Sequence, residues 1–152
     1  MQPKEDLRIL NSREKKEVMK LINNQWDSDF SPDVLLESNN GKIYLVSRGM
    51  ANIEWNNLNI DRVGLYFARL KDNKVRLTIE GSQLVGPSAK KNIIVIDDSQ
   101  LKSWFRGEDL DGKFNGEGFV LLKHGVDFVG CGKVTSEKLL NFVPKARRAE
   151  LI

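Results

Sequence analysis

The chain has 152 residues, 30% charged and 40% hydrophobic, a balance that suits one or two folded domains and excludes an intrinsically disordered chain. Its 24 basic and 21 acidic side chains leave a net charge of +3, which allows an acidic partner without demanding one. No run approaches the roughly 18 apolar residues of a membrane span, Met1 to Asp6 lacks the apolar core of a signal peptide, and the one cysteine, Cys131, excludes an internal disulfide and a cysteine-built zinc site and fits a reducing cytoplasm.

Leu7, Ile9 and Leu10 predict a short first strand. Asn11 or Ser12 then caps a helix, with Glu14 in the capping-box place. Val18, Leu21, Ile22 and Trp26 recur at helical spacing and give an apolar face, leaving Lys15, Lys16, Glu17 and Lys20 to water. Asp27 to Pro32 breaks the helix. Asp27, Asp29 and Asp33 do not make a calcium loop, because the required glycine and closing glutamate are missing.

Val34–Glu37 and Lys42–Ser47 predict two strands around an Asn40-Gly41 turn. The stretch from Arg48 to Ile60 has no clear pattern beyond a short helix. Val63–Leu70 and Val75–Ile79 predict a hairpin around Asp72-Asn73, with Val75, Leu77 and Ile79 alternating with polar residues. Gly81 to Lys91 reads as a separator, and Gly86-Pro87-Ser88 as its likeliest boundary, since Pro87 disfavours helical geometry at Gly86.

Ile93–Ile96 predicts a buried strand, followed by a helix capped at Asp97, Asp98 or Ser99 and stopped by Gly107. Asp109 to Gly118 is a polar loop with three glycines. Gly118–Gly125 and Asp127–Val134 are strands joined by a Gly-Val turn, and a Thr135–Lys138 turn leads to a basic end. The glycines beside Cys131 permit close backbone approach inside a small barrel. Between Lys123 and Arg148, six basic residues (Lys123, Lys133, Lys138, Lys145, Arg147, Arg148) face only Asp127 and Glu137. Such cations neutralise phosphates, the main source of non-specific nucleic-acid affinity.

Catalytic chemistry is hard to find. His124 lacks a legible orienting acid and nucleophile, and Glu108, Asp109 and Asp111 read as a solvated loop rather than a metal site. Gly130-Cys131-Gly132-Lys133 has neither the spacing nor the setting of a phosphate loop.

The order of "RGEDL" (Arg106–Leu110), "GxVLL" (Gly118–Leu122), "GxGKV" (Gly130–Val134) and "LNxxPK" (Leu140–Lys145) followed by Arg147 resembles the PUA domain at the C-terminus of Sun-family ribosomal RNA cytosine-5 methyltransferases. "RLTIEGSQLVGPSAKKN" (Arg76–Asn92) and the helix before it make the two-part plan similar to archaeal ribosome-biogenesis proteins that carry a PUA domain behind a pre-PUA domain. The resemblance implies an α+β protein. Residues 1–87 would form an α/β pre-PUA-like domain, and residues 88–152 a small PUA pseudo-barrel.

It further implies a non-enzymatic, cytoplasmic protein acting on ribosomal RNA in ribosome biogenesis or modification. An accessory subunit of a separate tRNA or rRNA methyltransferase is the alternative. Methyltransferases of that family use a cysteine that follows a proline, and this chain has no Pro-Cys pair and no glycine-rich cofactor loop. No cofactor, metal or membrane is expected. The expected partner is structured RNA, ribosomal or transfer, with a protein docking on the N-terminal domain. The RNA-binding residues it implies are Arg106, Gly107, Lys123, His124, Lys133, Lys145, Arg147 and Arg148.

Overall fold

The computed structural model describes residues 7–46 and 64–148. The unassigned stretch Arg48–Ile60, Val63 and both chain ends lie outside the described residues. The fold is α+β, with two sheets and three α-helices among the described residues.

Strands β1 (Leu7–Ile9), β2 (Val34–Ser38), β3 (Lys42–Val46), β4 (Leu65–Lys71) and β5 (Lys74–Leu77) pair in that order as an antiparallel sheet. Helix α1 (Ser12–Trp26) opens on Asn11, whose side chain accepts from the Glu14 N–H while Glu14 reaches back to the Asn11 N–H. This reciprocal cap satisfies two of the helix's unpaired donors. Its buried face is Val18, Met19, Ile22 and Trp26, a helical stripe as the spacing predicts. Leu21 is only partly buried against it. The β4–β5 hairpin turns through Asp72 and Asn73, both left-handed with φ of 53° and 59°, as a two-residue turn matched to strand twist requires.

Two expectations fail immediately after this hairpin. Ile79 does not extend the strand, and Gly86 keeps helical geometry (φ −51°, ψ −47°) despite Pro87. Thr78 caps helix α2 (Ile79–Val85) by accepting from the Gly81 N–H, and a 3-10 turn follows over Gly86–Ser88. Close packing explains why glycines sit inside a helical segment. A Cβ on Gly81 would strike the Phe67 carbonyl oxygen, and one on Gly86 would strike the Phe128 ring. Helix α2 therefore lies tight between β4 and the second sheet.

That second sheet runs β6 (Ile93–Val95), β8 (Phe119–His124), β9 (Asp127–Val134), β10 (Lys138–Leu140), β7 (Leu110–Asp111). Only β6–β8 is a parallel pair. Helix α3 (Asp98–Phe105) is capped by a reciprocal Asp97–Gln100 box. Its Trp104 is fully buried, removing roughly 200 Å² from water, worth about 5 kcal/mol.

The two sheets share a core. Leu121, Phe128 and Cys131 of the second sheet pack in one cluster with Ile22, Trp26, Phe67 and Leu77. Polar ties reinforce the junction. Gln25 Nε2 donates to the carbonyls of Glu117 (2.7 Å) and Phe119 (2.8 Å), and Asn92 Nδ2 donates to the Gln25 carbonyl (2.7 Å).

Candidate nucleic-acid interface

The end of α3 sets the first part of the site. Gly107, at φ 86°, takes the left-handed position. Its N–H donates to Trp104 O (3.0 Å), and the Glu108 N–H donates to Ser103 O (3.1 Å). Both bonds of the Schellman stop are present. Asn141 fastens this corner to the C-terminal segment, donating through Nδ2 to the carbonyls of Trp104 and Glu108, both at 2.8 Å. Asp109 receives the Asn141 N–H and faces Lys138 at 3.6 Å, and Glu108 stands 4.0 Å from Arg106. These carboxylates are occupied by local partners, and among the described residues no group of three acids, histidines or cysteines could hold a metal.

The segment after Asn141 brings the basic end to the same corner. Lys145–Arg147 forms a 3-10 turn after Pro144. The Arg148 side chain lies directly over Gly107, and its Nε donates to the Val143 carbonyl at 3.1 Å. The structure thus gathers Arg106, Gly107, Lys145, Arg147 and Arg148 into one region. It also gives two of them partners within the chain. The space beside Gly107 is filled by Arg148, so this glycine admits the chain's own arginine. Arg147 is bound to Glu80 on α2.

Lys133 belongs to a different surface. Its Nζ stands 5.8 Å from the centroid of Phe119, which packs at 5.9 Å and 57° on Phe142. The Arg76 guanidinium covers Phe142 at 4.5 Å. The result is a cation–ring–ring–cation ladder, in geometry that stabilises each cation over a π face. Arg76 and Phe142 were not expected in the site. Their only early signal was a basic residue on the wet face of β5 and an aromatic in the C-terminal segment.

Lys123 and His124 lie at the far end of β8. Lys123 Nζ is 5.5 Å from the Phe128 ring centroid, and His124 Nε2 is 2.7 Å from Asp98 Oδ1. Asp98 is the acid that sequence alone did not pair with His124. It is 92% exposed, so the contact is a surface pair on the first turn of α3. These two residues stand apart from the Gly107 corner. The eight expected RNA contacts therefore divide into three places.

Cys131 sits on β9 between two glycines that meet Trp104. A Cβ on Gly130 would lie 2.9 Å from Trp104 Nε1, and one on Gly132 would lie 3.0 Å from its Cη2. The glycines serve close packing, as a small barrel requires. Burial pushes the Cys131 thiol up to about 12, against smaller opposing effects of a hydrogen bond with the Leu77 backbone and the charge of Arg76.

Among the described residues no helix is long and apolar enough to cross a membrane. Residues 91–149 match the family model described as the methyltransferase RsmF PUA domain. The chain is 26% identical over 88 residues to a ribosomal RNA small subunit methyltransferase F of Vibrio vulnificus, an alignment covering 58% of this chain and 19% of that protein. It is 24% identical over 90 residues to a protein of the same description from Vibrio cholerae, with the same coverage. A Vibrio parahaemolyticus protein of that description aligns at 21% over 141 residues, 89% of this chain but 29% of its own length. The chain thus spans less than a third of these bacterial relatives, and the longest alignment reaches into its N-terminal half. The C-terminal half of the chain, residues 91–149, carries a PUA domain of the kind described for the methyltransferase RsmF.

Proposed function

We propose that these residues form a non-enzymatic RNA-binding unit that acts on ribosomal RNA, in ribosome assembly or modification, within the cytoplasm. The observation that carries the reading is the cationic corner of the PUA domain. Arg148 is seated on Gly107 at the α3 stop, Arg106 directly precedes that glycine, and Lys145 opens the 3-10 turn that leads to Arg148. Arginine offers paired donors that match phosphate oxygens, and lysine a compact charge. The relatives' names supply the link to small-subunit ribosomal RNA.

The absence of catalysis is argued from Cys131. A cysteine that attacks a pyrimidine must become a thiolate. This thiol is buried in the core shared by the two sheets and holds its proton to about 12, so at neutral pH its thiolate fraction is negligible.

The coverage of the relatives favours one second reading. A unit matching under a third of proteins named as methyltransferases could act as an RNA-binding accessory of a separate methyltransferase. The N-terminal sheet would then dock that partner. Filter binding to protein-free small-subunit ribosomal RNA at several salt concentrations tests the main reading. Affinity should fall steeply with salt, because neutralised phosphates release counterions. Absent or salt-independent binding overturns it. Methyl transfer from labelled S-adenosylmethionine by the chain alone would overturn the non-enzymatic part. A raised turnover of an added methyltransferase would favour the accessory reading.

A further inference from the structure

The outer face of the N-terminal sheet carries a row of cations that the PUA domain does not account for. Lys42 of β3 pairs in register with Arg69 of β4, and Arg69 pairs with Arg76 of β5. Directly paired residues project from the same face, so three positive side chains stand in line across three strands, a span of about 10 Å at the usual strand spacing. Two residues further along, Lys71 pairs with Lys74 and adds two more cations to that face. The opposite face carries Val75 and Leu77 into the core.

Like charges placed directly opposite one another destabilise a sheet. Here Arg69, Lys71 and Lys74 are not offset within the described residues. No carboxylate pairs with Arg69, Lys71 or Lys74, and all three are exposed. Asp72, at the tip between Lys71 and Lys74, is the one acid in the hairpin. Lys42 lies over the Tyr66 ring at 5.6 Å.

The row does not end at the sheet edge. Arg76 covers Phe142, Phe142 packs on Phe119, and Phe119 lies under Lys133 of the PUA domain. Cations and half-exposed rings therefore run without a break from one half of the chain to the other. Phosphates are met by the cations, and the rings beneath them hold Arg76 and Lys133 in line with the row.

We propose that this face is a second RNA-binding surface, on which an RNA strand lies across the β3–β5 sheet and continues over the Phe142–Phe119 ladder to Lys133. The inference rests on the RNA-binding reading of the PUA domain and extends it to the N-terminal half. The occupant is RNA because the face carries the exposed cations Arg69, Lys71 and Lys74 and is continuous, through Arg76, Phe142 and Phe119, with a PUA domain.

The test is filter binding of the full chain to protein-free small-subunit ribosomal RNA between about 50 and about 200 mM salt. A triple variant, Arg69→Gln/Lys71→Gln/Lys74→Gln, should lower the log–log salt slope by roughly 2 to 3, since each phosphate contact contributes about 0.7 to 0.9. Arg69→Gln alone should lower it by about 0.7 to 0.9, and guards against misfolding of the triple variant. Both variants should melt at or above the parent temperature, because like-charge repulsion is relieved. Lys145→Gln/Arg148→Gln serves as the PUA control. If only that control weakens binding, the second surface is overturned, the RNA-binding reading stands, and the face belongs to another anionic partner such as an acidic protein. If the parent chain binds no RNA, both fall together.

Discussion

Arg148 lies across the face of Gly107, close enough that a Cβ on the glycine would stand 2.6 Å from Arg148 Cδ. The glycine thus has two duties. It takes the left-handed backbone that stops α3, and it leaves room for the arginine stem whose Nε donates to Val143 O.

Gly107→Ala should therefore fail twice. The left-handed conformation costs an L-residue about 1–2 kcal/mol, and the new methyl displaces Arg148. Urea unfolding should show lower stability by at least about 1 kcal/mol, and RNA affinity should fall along with it. Arg148→Gln should reduce affinity and cost about 1 kcal/mol, since the Nε bond to the Val143 carbonyl is lost. An alanine variant that matched the parent in both measurements would remove the coupling.

The Trp104 indole makes a similar demand on β9. A Cβ on Gly132 would meet the Leu140 carbonyl at 2.9 Å and Trp104 Cη2 at 3.0 Å. Neither a backbone oxygen nor a fully buried indole yields easily, so Gly132→Ala should cost about 1–3 kcal/mol, the usual range for overpacking. Urea unfolding followed by near-ultraviolet circular dichroism measures this, and a neutral substitution would mean the barrel is looser than these distances imply.

Local signals were legible in the sequence where the chemistry was local. The Asn11–Glu14 box, the Asp72-Asn73 turn and the Gly107 stop each depend on residues a few positions apart, and all stand where their patterns place them. Helix α2 was hidden because Val75, Leu77 and Ile79 continue a strand alternation, while Gly81, Gly86 and Pro87 imitate a linker. Only the Phe67 carbonyl and the Phe128 ring, distant in sequence, explain those glycines. The site was lost in the same way. Arg147 and Glu80 are 67 positions apart, and the Lys42–Arg69–Arg76 row exists only once strand register is fixed. Charge counted along the chain finds the basic end, yet it cannot find a row built across strands.

Cys131 supplies a prediction about pH. In the folded chain its thiol keeps its proton to about 12, against 9.0 as the ordinary value. Below pH 9 both folded and unfolded thiols are protonated, and stability does not depend on this group. Between about 9 and 12 the unfolded chain releases the proton and the folded chain retains it, so stability falls as pH rises. The decline in urea midpoint from pH 8 to pH 10.5 should be smaller in Cys131→Ala than in the parent. In native protein at pH 8, a thiol reagent should label Cys131 only slowly. Rapid labelling would show an accessible thiolate and reopen the case for covalent chemistry.

The last prediction compares the basic C-terminal end with the basic helix α1. Lys15, Lys16 and Lys20 look equivalent in sequence, but Lys15 Nζ donates to the carbonyls of Pro32 (3.4 Å) and Asp33 (2.9 Å). It holds the loop after α1, so Lys15→Glu should cost about 1 kcal/mol of stability for reasons unrelated to RNA. Lys16→Glu/Lys20→Glu is the cleaner helix variant, since both side chains are exposed. At the other end, Arg147→Glu would place a second carboxylate against Glu80, so charge removal is preferable to reversal there. Lys145→Gln/Arg148→Gln should lower the salt slope of RNA binding by roughly 1.4 to 1.8 and weaken affinity most at low salt. The helix pair should change the slope by much less, because its lysines lie beside Glu17 on the same helix and away from the Gly107 corner. If the helix pair proved the more damaging, α1 would be the RNA reader, and the PUA corner would be left with the structural duty that Arg148 and Gly107 already share.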